Sequence, residues 1–320
     1  MLDISCAFAT SMATPDHVAL AEDLGYRRAW LYDSPALYPD VWMILAECAR
    51  RTSRIELGPG VAIPSLRHPM VTAAAIGTLA ALAPGRANVA IGSGFTGRLT
   101  LGQKPLPWAF VREYVLAVKG LLAGQTVQWD GAAIRMMHPA GFGAARPIDV
   151  PIILGTGGPK GNAVAHELAD GVFVTGATNE FGRCSVLTFG TVLDDGESAG
   201  SERSMAAAGH AGALMYHAFH LRGLAASLPN GDRWLEALEA VPESERHLAL
   251  HEGHLIEANE RDRLVVNGET LAMFGLARDA QGWRDHLAAA EAAGATEIAY
   301  QPAGPDIADE LQRFMAVTRG

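Results

Sequence analysis

The stretch Arg54-Ile55-Glu56-Leu57-Gly58-Pro59-Gly60-Val61 runs from a short β-favouring segment straight into a glycine turn. The same transition recurs at Ala90-Ile91-Gly92-Ser93-Gly94 and at Ile153-Leu154-Gly155-Thr156-Gly157-Gly158. The segments after Pro69 and after Gly158 read as helix. Glycine lets backbone amides approach a ligand closely, and at a strand-to-helix junction such amides favour an anion or a flat ring. Three such mouths in one chain point to a barrel rim gripping a phosphorylated cofactor.

Strand and helix signals alternate outward from these mouths through the first 175 residues. Residues 3–8 read as a strand, and Thr14-Pro15 starts a helix with Thr14 as its cap. Residues 29–32 form the second strand, 40–51 a helix, 54–57 the third strand and 87–91 the fourth. Val111, Val115, Val118 and Leu122 recur at 4-3-4 spacing, one face of a helix that Gly124 closes. Residues 126–150 break the rhythm with a hairpin, Val127-Gln128-Trp129-Asp130-Gly131, and a loop. Residues 151–154, 159–168 and 171–174 then give strand, helix and strand.

Only residues 176–183 precede the next strand-like run, 185–193. A parallel crossover usually needs about a dozen residues or more, so the helix after the sixth strand is abbreviated or missing. Residues 202–262 read as helices. A helix with Trp283, Leu287 and Ala290 follows, stopped by Gly294, then a strand at 297–300. A final helix places Ile307, Leu311 and Phe314 or Met315 on one face. The expectation is an α/β chain: a single TIM (β/α)8 barrel over residues 1–320, with insertions near 126–150 and 202–262.

Composition narrows the function. A net charge of −10 disfavours nucleic acid as a partner, since backbone neutralisation needs clustered Lys and Arg. The three lysines are Lys104, Lys119 and Lys160, so anion binding falls to arginine or backbone amides. No apolar run of about 18 residues predicts a membrane span, and Met1-Leu2-Asp3-Ile4 does not open a signal peptide. Cys6, Cys48 and Cys184 form no pairing pattern. A cytoplasmic location is expected.

Function in a barrel gathers at the C-terminal strand ends. These are Asp33-Ser34, Gly60-Val61, Ser93-Gly94, Thr156-Gly157-Gly158, Gly176 and Gln301. Gly157-Gly158 precedes a helix whose dipole favours a phosphate, with Lys160 one turn in. Separately, His251 and His254 in His247-Leu248-Ala249-Leu250-His251-Glu252-Gly253-His254 share a helical face. They offer a proton donor over a cofactor; a structural role or a metal set are the alternatives, although the spacing is not HExxH and Gly253 weakens the helix. His210, His217 and His220 read as surface, and Trp108, Trp129 and Trp234 as packing or rim. His68 reads as loop packing.

The ordered set Asp33-Ser34-Pro35, Thr52 through Val61, Arg67-His68-Pro69, Pro84-Gly85-Arg86, Ile91 through Gly94, Gly158-Pro159-Lys160 and Ala169-Asp170-Gly171-Val172 resembles the luciferase-like flavin and deazaflavin oxidoreductases. It is most similar to their methylenetetrahydromethanopterin reductase branch. The resemblance covers residues 1 to 175 and resumes around 274–302. It implies coenzyme F-420 (a deazaflavin) or FMN in the barrel mouth, backed by a non-proline cis peptide at Gly60-Val61. The phosphate is then expected at Gly157-Gly158 and around Gly176-Ala177, with Asp33 and Ser93 toward the ring. Asp33, Ser34 and His254 are the catalytic candidates; Gly60, Val61, Ser93, Gly94, Thr156, Gly157, Gly158, Lys160, Gly176 and Ala177 are the cofactor candidates. Ser34 stands where members often carry His, and residues 4–8 lack the reductases' glutamate.

The implied activity is hydride transfer from a reduced deazaflavin or flavin to a small organic substrate, with no metal. An FMNH2-dependent monooxygenase served by a separate flavin reductase is the alternative, and a non-catalytic flavin-binding homologue a third. A barrel aldolase would want a lysine at a strand end, and none is there. A homodimer is the family's expectation.

Overall fold

The computed structural model describes residues 2–319. Eight strands form one parallel sheet: β1 Asp3–Phe8, β2 Arg28–Leu31, β3 Glu56–Pro59, β4 Val89–Gly92, β5 Ile152–Gly155, β6 Gly171–Val174, β7 Cys184–Phe189 and β8 Glu297–Gln301. Their order is β3-β2-β1-β8-β7-β6-β5-β4. Parallel bridges from Leu57 to Ala87 and from Ala62 to Ile91 join β3 to β4 and close the ring. This is the TIM barrel that the alternation predicts.

The crossovers carry α1 Thr14–Leu24, α2 Val41–Arg51, α3 Pro69–Leu82, α4 Phe95–Leu99, α5 Trp108–Leu122 and α6 Pro159–Leu168. Asp40 caps α2 by accepting from the Trp42 and Met43 amides, and the His68 imidazole caps α3 by accepting from the Met70 amide. His68 also packs edge-on to Trp129. Val111, Val115, Val118 and Leu122 are all buried, as their spacing requires. The hairpin pairs Val127–Trp129 with Ala132–Ile134, and Asp130 and Gly131 turn it at positive φ.

Several boundaries differ from the sequence reading. Thr14 lies inside α1, and its hydroxyl accepts from the Ser11 amide instead of capping the helix. β3 starts two residues late and runs through Gly58 and Pro59. Proline is tolerated there because its ladder partner is Leu31 on one side only, and a Cβ on Gly58 would lie 1.9 Å from the Asn88 carbonyl. The run 185–193 is not one strand. Gly190, at φ 126°, breaks it, and Thr191–Val192 pairs instead with Ala277–Arg278. Residues 175–183 contain no helix at all.

A polar layer fills the barrel's N-terminal end. Buried Arg28 pairs with Glu56 and, at 2.6 Å, with Glu297. The Trp30 indole and the Ser185 hydroxyl donate to the Glu297 carboxylate, and Asn88 donates to Glu56. At that end of a barrel such a layer serves stability.

The chain divides into two compact units: Met1–Leu99, Gln103–Leu187 and Ala290–Ala299 in the first, and Thr100–Gly102, Thr188–Ala289 and Tyr300–Gly320 in the second. The second contains α7 Glu202–His220, α8 Gly231–Glu239, α9 Arg246–His251, α10 Gly268–Met273 and α12 Ile307–Arg319, with most of α11 Ala280–Ala292. Ser201 caps α7 by accepting from the Ser204 amide. Its core gathers Tyr216, Trp234, Leu238, Leu250 and Leu271. No helix among the described residues is long and apolar enough to cross a membrane.

Candidate active site

The bulge after β3 organises the first unit's strand ends. Gly60 and Val61 are joined by a cis peptide bond, as the resemblance implies. A Cβ on Gly60 would lie 2.9 Å from the Trp30 Cβ, so the bulge sits hard against β2. Val61 turns its side chain onto the last residues of β4 and β5. A Cβ on Gly92 or Gly155 would come within 2.8 Å or 2.7 Å of its methyl groups. Both glycines therefore form a socket for one valine.

Asp33 fastens this bulge. Its Oδ2 accepts from the Ile63 amide at 3.3 Å and from the Arg67 guanidinium at 2.7 Å. Burial pushes the Asp33 carboxyl upward against the opposing pull of Arg67. Arg67 also donates to Asp40 at 2.6 Å, and its carbonyl accepts from the Tyr114 hydroxyl. Burial raises that phenol to about 12, which keeps it a neutral donor. Sequence reasoning missed Arg67 as a functional group, although it stands in the Arg67-His68-Pro69 signature.

The β4 end closes on the same place. Gly94, at φ 82°, has Ile63 beside it, and Gly97 of α4 packs on the Asp33 carbonyl and the Ser34 hydroxyl. Asp33, Ser34, Gly60, Val61 and Gly94 are thus brought together around Ile63, with Ser93 beside them as a half-buried neighbour.

Around the rim, the ends of β5 and β6 enclose a pocket of about 720 Å³. The cofactor candidates Thr156, Gly157, Gly158 and Gly176 line it, together with Asn162, His166, Glu180 and Phe181, which the sequence reading did not single out. Lys160 stands exposed in the first turn of α6 and Ala177 is half-buried; neither lines the pocket. The Thr156 hydroxyl donates to Asn162 at 2.9 Å, and the Asn162 amide donates to Glu180 at 3.2 Å. His166 stacks on Phe181 with ring centres 4.3 Å apart.

The pocket glycines differ from most others in the fold. Gly157, Gly158 and Gly176 have no positive φ, and a Cβ on any of them would meet nothing within 4 Å. By contrast, a Cβ on Gly161 would strike the Thr156 hydroxyl at 2.2 Å and Trp108 at 2.6 Å. Packing explains Gly161 but not the other three. No side chain caps α6 at Gly158, so its first amides have no side-chain acceptor there. The uncapped amides and the open space above these glycines are the features by which such a turn could receive an anion.

His254 lies in the second unit. Helix α9 ends at His251, so His251 and His254 do not share a helical face, and His254 follows in a turn. Both are buried, as are His210 and His217, contrary to the expected surface placement of α7's histidines. His217, His251 and His254 pack with ring centres 5.2–6.3 Å apart. Asp262 accepts from the Trp234 indole at 2.9 Å and pairs with His217 at 3.1 Å. Burial holds His210 near 4 and drives His254 well below the usual imidazole range. Among the described residues no group of three or more His, Cys, Asp or Glu is disposed to hold a metal ion.

The fold is a closed parallel barrel with its glycine-rich strand ends gathered at one rim, and the sequence comparison assigns it to a family. The chain belongs to the luciferase-like monooxygenase family, whose model matches residues 10–185. It is similar to 5,10-methylenetetrahydromethanopterin reductase of Methanolobus tindarius, at 34% identity over 166 residues, which covers 49% of this chain and 48% of that protein. It is likewise similar to F420-dependent glucose-6-phosphate dehydrogenase of Beutenbergia cavernae, at 32% identity over 181 residues, 50% and 51% of the two chains. The chain spans about half the length of the curated relatives it matches. Among solved structures, the coenzyme F420-dependent tetrahydromethanopterin reductase of Methanopyrus kandleri superposes with a TM-score of 0.65 at 18% identity, over 98% of this chain and 96% of that one.

Proposed function

We propose that this protein is an oxidoreductase that binds a reduced deazaflavin, coenzyme F-420, in the barrel mouth and passes its hydride to a small organic substrate. The observation that carries the reading is the open glycine cradle at Gly157, Gly158 and Gly176, which the fold itself does not require. The two curated relatives named above support it, since one is described as F420-dependent and the other as a methylenetetrahydromethanopterin reductase.

The bound cofactor would supply the hydride. The chain supplies the geometry. The uncapped amides at the start of α6 and the Gly176 backbone would hold the phosphate. Val61 lays an apolar floor over Gly92 and Gly155, and Asp33 with Arg67 holds that floor in place. A fixed seat of this kind orients a reacting ring and excludes water on one side. Three buried, unbridged cysteines suit a reducing cytoplasm. The acting form in this reading is a homodimer, which would need a separate flavin reductase only if FMN were the cofactor.

Titration of the purified protein with coenzyme F-420 and with FMN, followed by fluorescence quenching, tests the reading. Micromolar binding of F-420, weakened by Gly158→Val, is expected. Binding of neither pigment would overturn it, while incorporation of an oxygen atom from O2 into an organic substrate with reduced FMN, absent without the protein, would transfer the chain to the monooxygenases.

A further inference from the structure

A turn in the second unit joins the buried histidines to the end of β8. Helix α9 stops at His251, and residues 252–256 form the turn, which carries His254. The Leu255 carbonyl in that turn accepts from the Gln301 side-chain amide at 2.6 Å. Gln301 is the last residue of β8 and belongs to the same unit, so the turn is fastened to a C-terminal strand end, the side of a barrel where function gathers. Gly253 and Leu255 both have positive φ, 71° and 59°. Glycine takes that conformation freely, whereas leucine is strained in it, and such strain collects at sites and switches.

His254 is buried among other imidazoles. His217 of α7 stacks on it with ring centres 5.8 Å apart, and His251 of α9 lies at 5.2 Å. Together with His210 of α7, these rings oppose a positive charge at His254. The carboxylates of the turn and of the following segment are committed elsewhere: Glu252 to Arg261 at 2.8 Å, Glu257 to Arg263 at 3.4 Å, and Asp262 to Trp234 and His217. His217 also keeps a buried Nδ1 without a hydrogen-bond partner, so the network is only partly satisfied. A partly satisfied buried network costs stability instead of locking a core.

We propose that the turn at residues 252–256 is an acid-released latch: proton uptake by His254 frees it from the end of β8 and breaks the Gln301–Leu255 hydrogen bond before α7 gives way. The latch acts in the same way whichever cofactor the barrel takes. Burial, then the neighbouring imidazoles, holds His254 well below the usual imidazole range while the turn is closed. In the open turn it returns to about 6.5, so the open form takes up the proton at a higher pH than the closed one. Opening is therefore insensitive to pH well above that value and grows as the pH falls below it. From pH 7.5 to 5.5 the opening equilibrium shifts by about tenfold for this one histidine.

Amide hydrogen exchange of the full chain at pH 7.5 and 5.5, corrected for intrinsic exchange, tests the latch. The His254 amide donates to the His251 carbonyl, and the Ile256 and Glu257 amides donate to that of Gly253, so peptides over 252–258 report its state. Expected is an about tenfold loss of protection there at pH 5.5, reversed on return to pH 7.5, with α7 and α8 losing severalfold less. His254→Leu and His254→Gln, each checked by a thermal melt, should give the turn equal protection at both pH values. Gln301→Leu removes the tether and leaves the histidine, so it should lower protection of the turn already at pH 7.5 and keep the response to acid. Unchanged protection in the wild type, a loss shared equally by α7, or a full response in a folded His254 variant would overturn the inference. Should neither His254 variant fold, the comparison of the turn with α7 in the wild type decides it.

Discussion

The Arg67 guanidinium donates to the Asp33 carboxylate at 2.7 Å across 34 residues of chain, and the Asp33 side chain is only 1% exposed. This pair ties the strand-end acid of β2 to the bulge that carries Val61. Removing one partner of a buried ion pair leaves an uncompensated charge, so Arg67→Met should cost about 3 kcal/mol at pH 7. Without Arg67, the carboxyl that burial already pushes up titrates higher still. The native state then binds a proton that the unfolded chain gives up, so the deficit should narrow as the pH falls from 7 toward 5. Urea denaturation at the two pH values checks this; a constant deficit would show that Arg67 acts by packing alone.

Two classes of rim glycine should separate cleanly. Gly92→Ala and Gly155→Ala force a methyl against Val61, at 2.8 Å and 2.7 Å, and should destabilise the fold by about 1–3 kcal/mol. Gly157→Ala and Gly176→Ala meet nothing and should leave stability within about 0.5 kcal/mol. They should still weaken F-420 binding severalfold, because the added methyl occupies the ligand's side. Thermal melts and binding titrations on the four variants decide between a ligand cradle and idle loop glycines.

The buried histidines make the second unit acid-sensitive. His210, His251 and His254 are all held below the usual imidazole range, chiefly by burial, with His210 near 4. The unfolded chain therefore binds more protons than the native one between about 6.5 and 4, and stability is lost as the pH falls through that window. Proteolysis at pH 7.5 and pH 5 should show α7 to α9 cut first at the lower pH. His210→Phe should blunt the response.

At the barrel base, Glu297→Gln should cost about 3 kcal/mol at neutral pH by leaving Arg28 underpaired. Burial pushes the Glu297 carboxyl up, but Arg28, Ser185 and Trp30 together bring it below its ordinary value. Its stabilisation is therefore present above about 4.3 and is lost as pH falls through the depressed native value. The wild type and variant should converge in acid denaturation followed by circular dichroism.

The barrel was legible because parallel strands buried on both faces leave short apolar runs, and each run here ends at a glycine. β1, α6 and β6 fall where their residues predict. β3 slipped because Gly58 and Pro59 signal a turn locally, whereas the close approach of the Asn88 backbone keeps them in the sheet. The break at Gly190 depends on a positive φ that no neighbouring residue announces. α7 was misjudged although a signal was present: after Glu202 and Arg203 it carries only small, apolar and histidine residues, and a helix without a charged face is buried all round. Among the residues of the candidate site, the glycines stand out in the sequence by strand-end logic. Arg67, Asn162 and Glu180 were not, because their partners lie on other elements and meet only after the ring closes.

The missing helix between β6 and β7 has a consequence for how this architecture diversifies. Because the bare connection there carries Glu180 and Phe181 and rests near Thr178 on the turn at Gly294, exchanges within it leave the hydrogen-bonded staves of the barrel untouched. A lineage built this way can reshape one wall of the pocket over β5 and β6 by single replacements in one short strap, with no need to rework the scaffold beneath it.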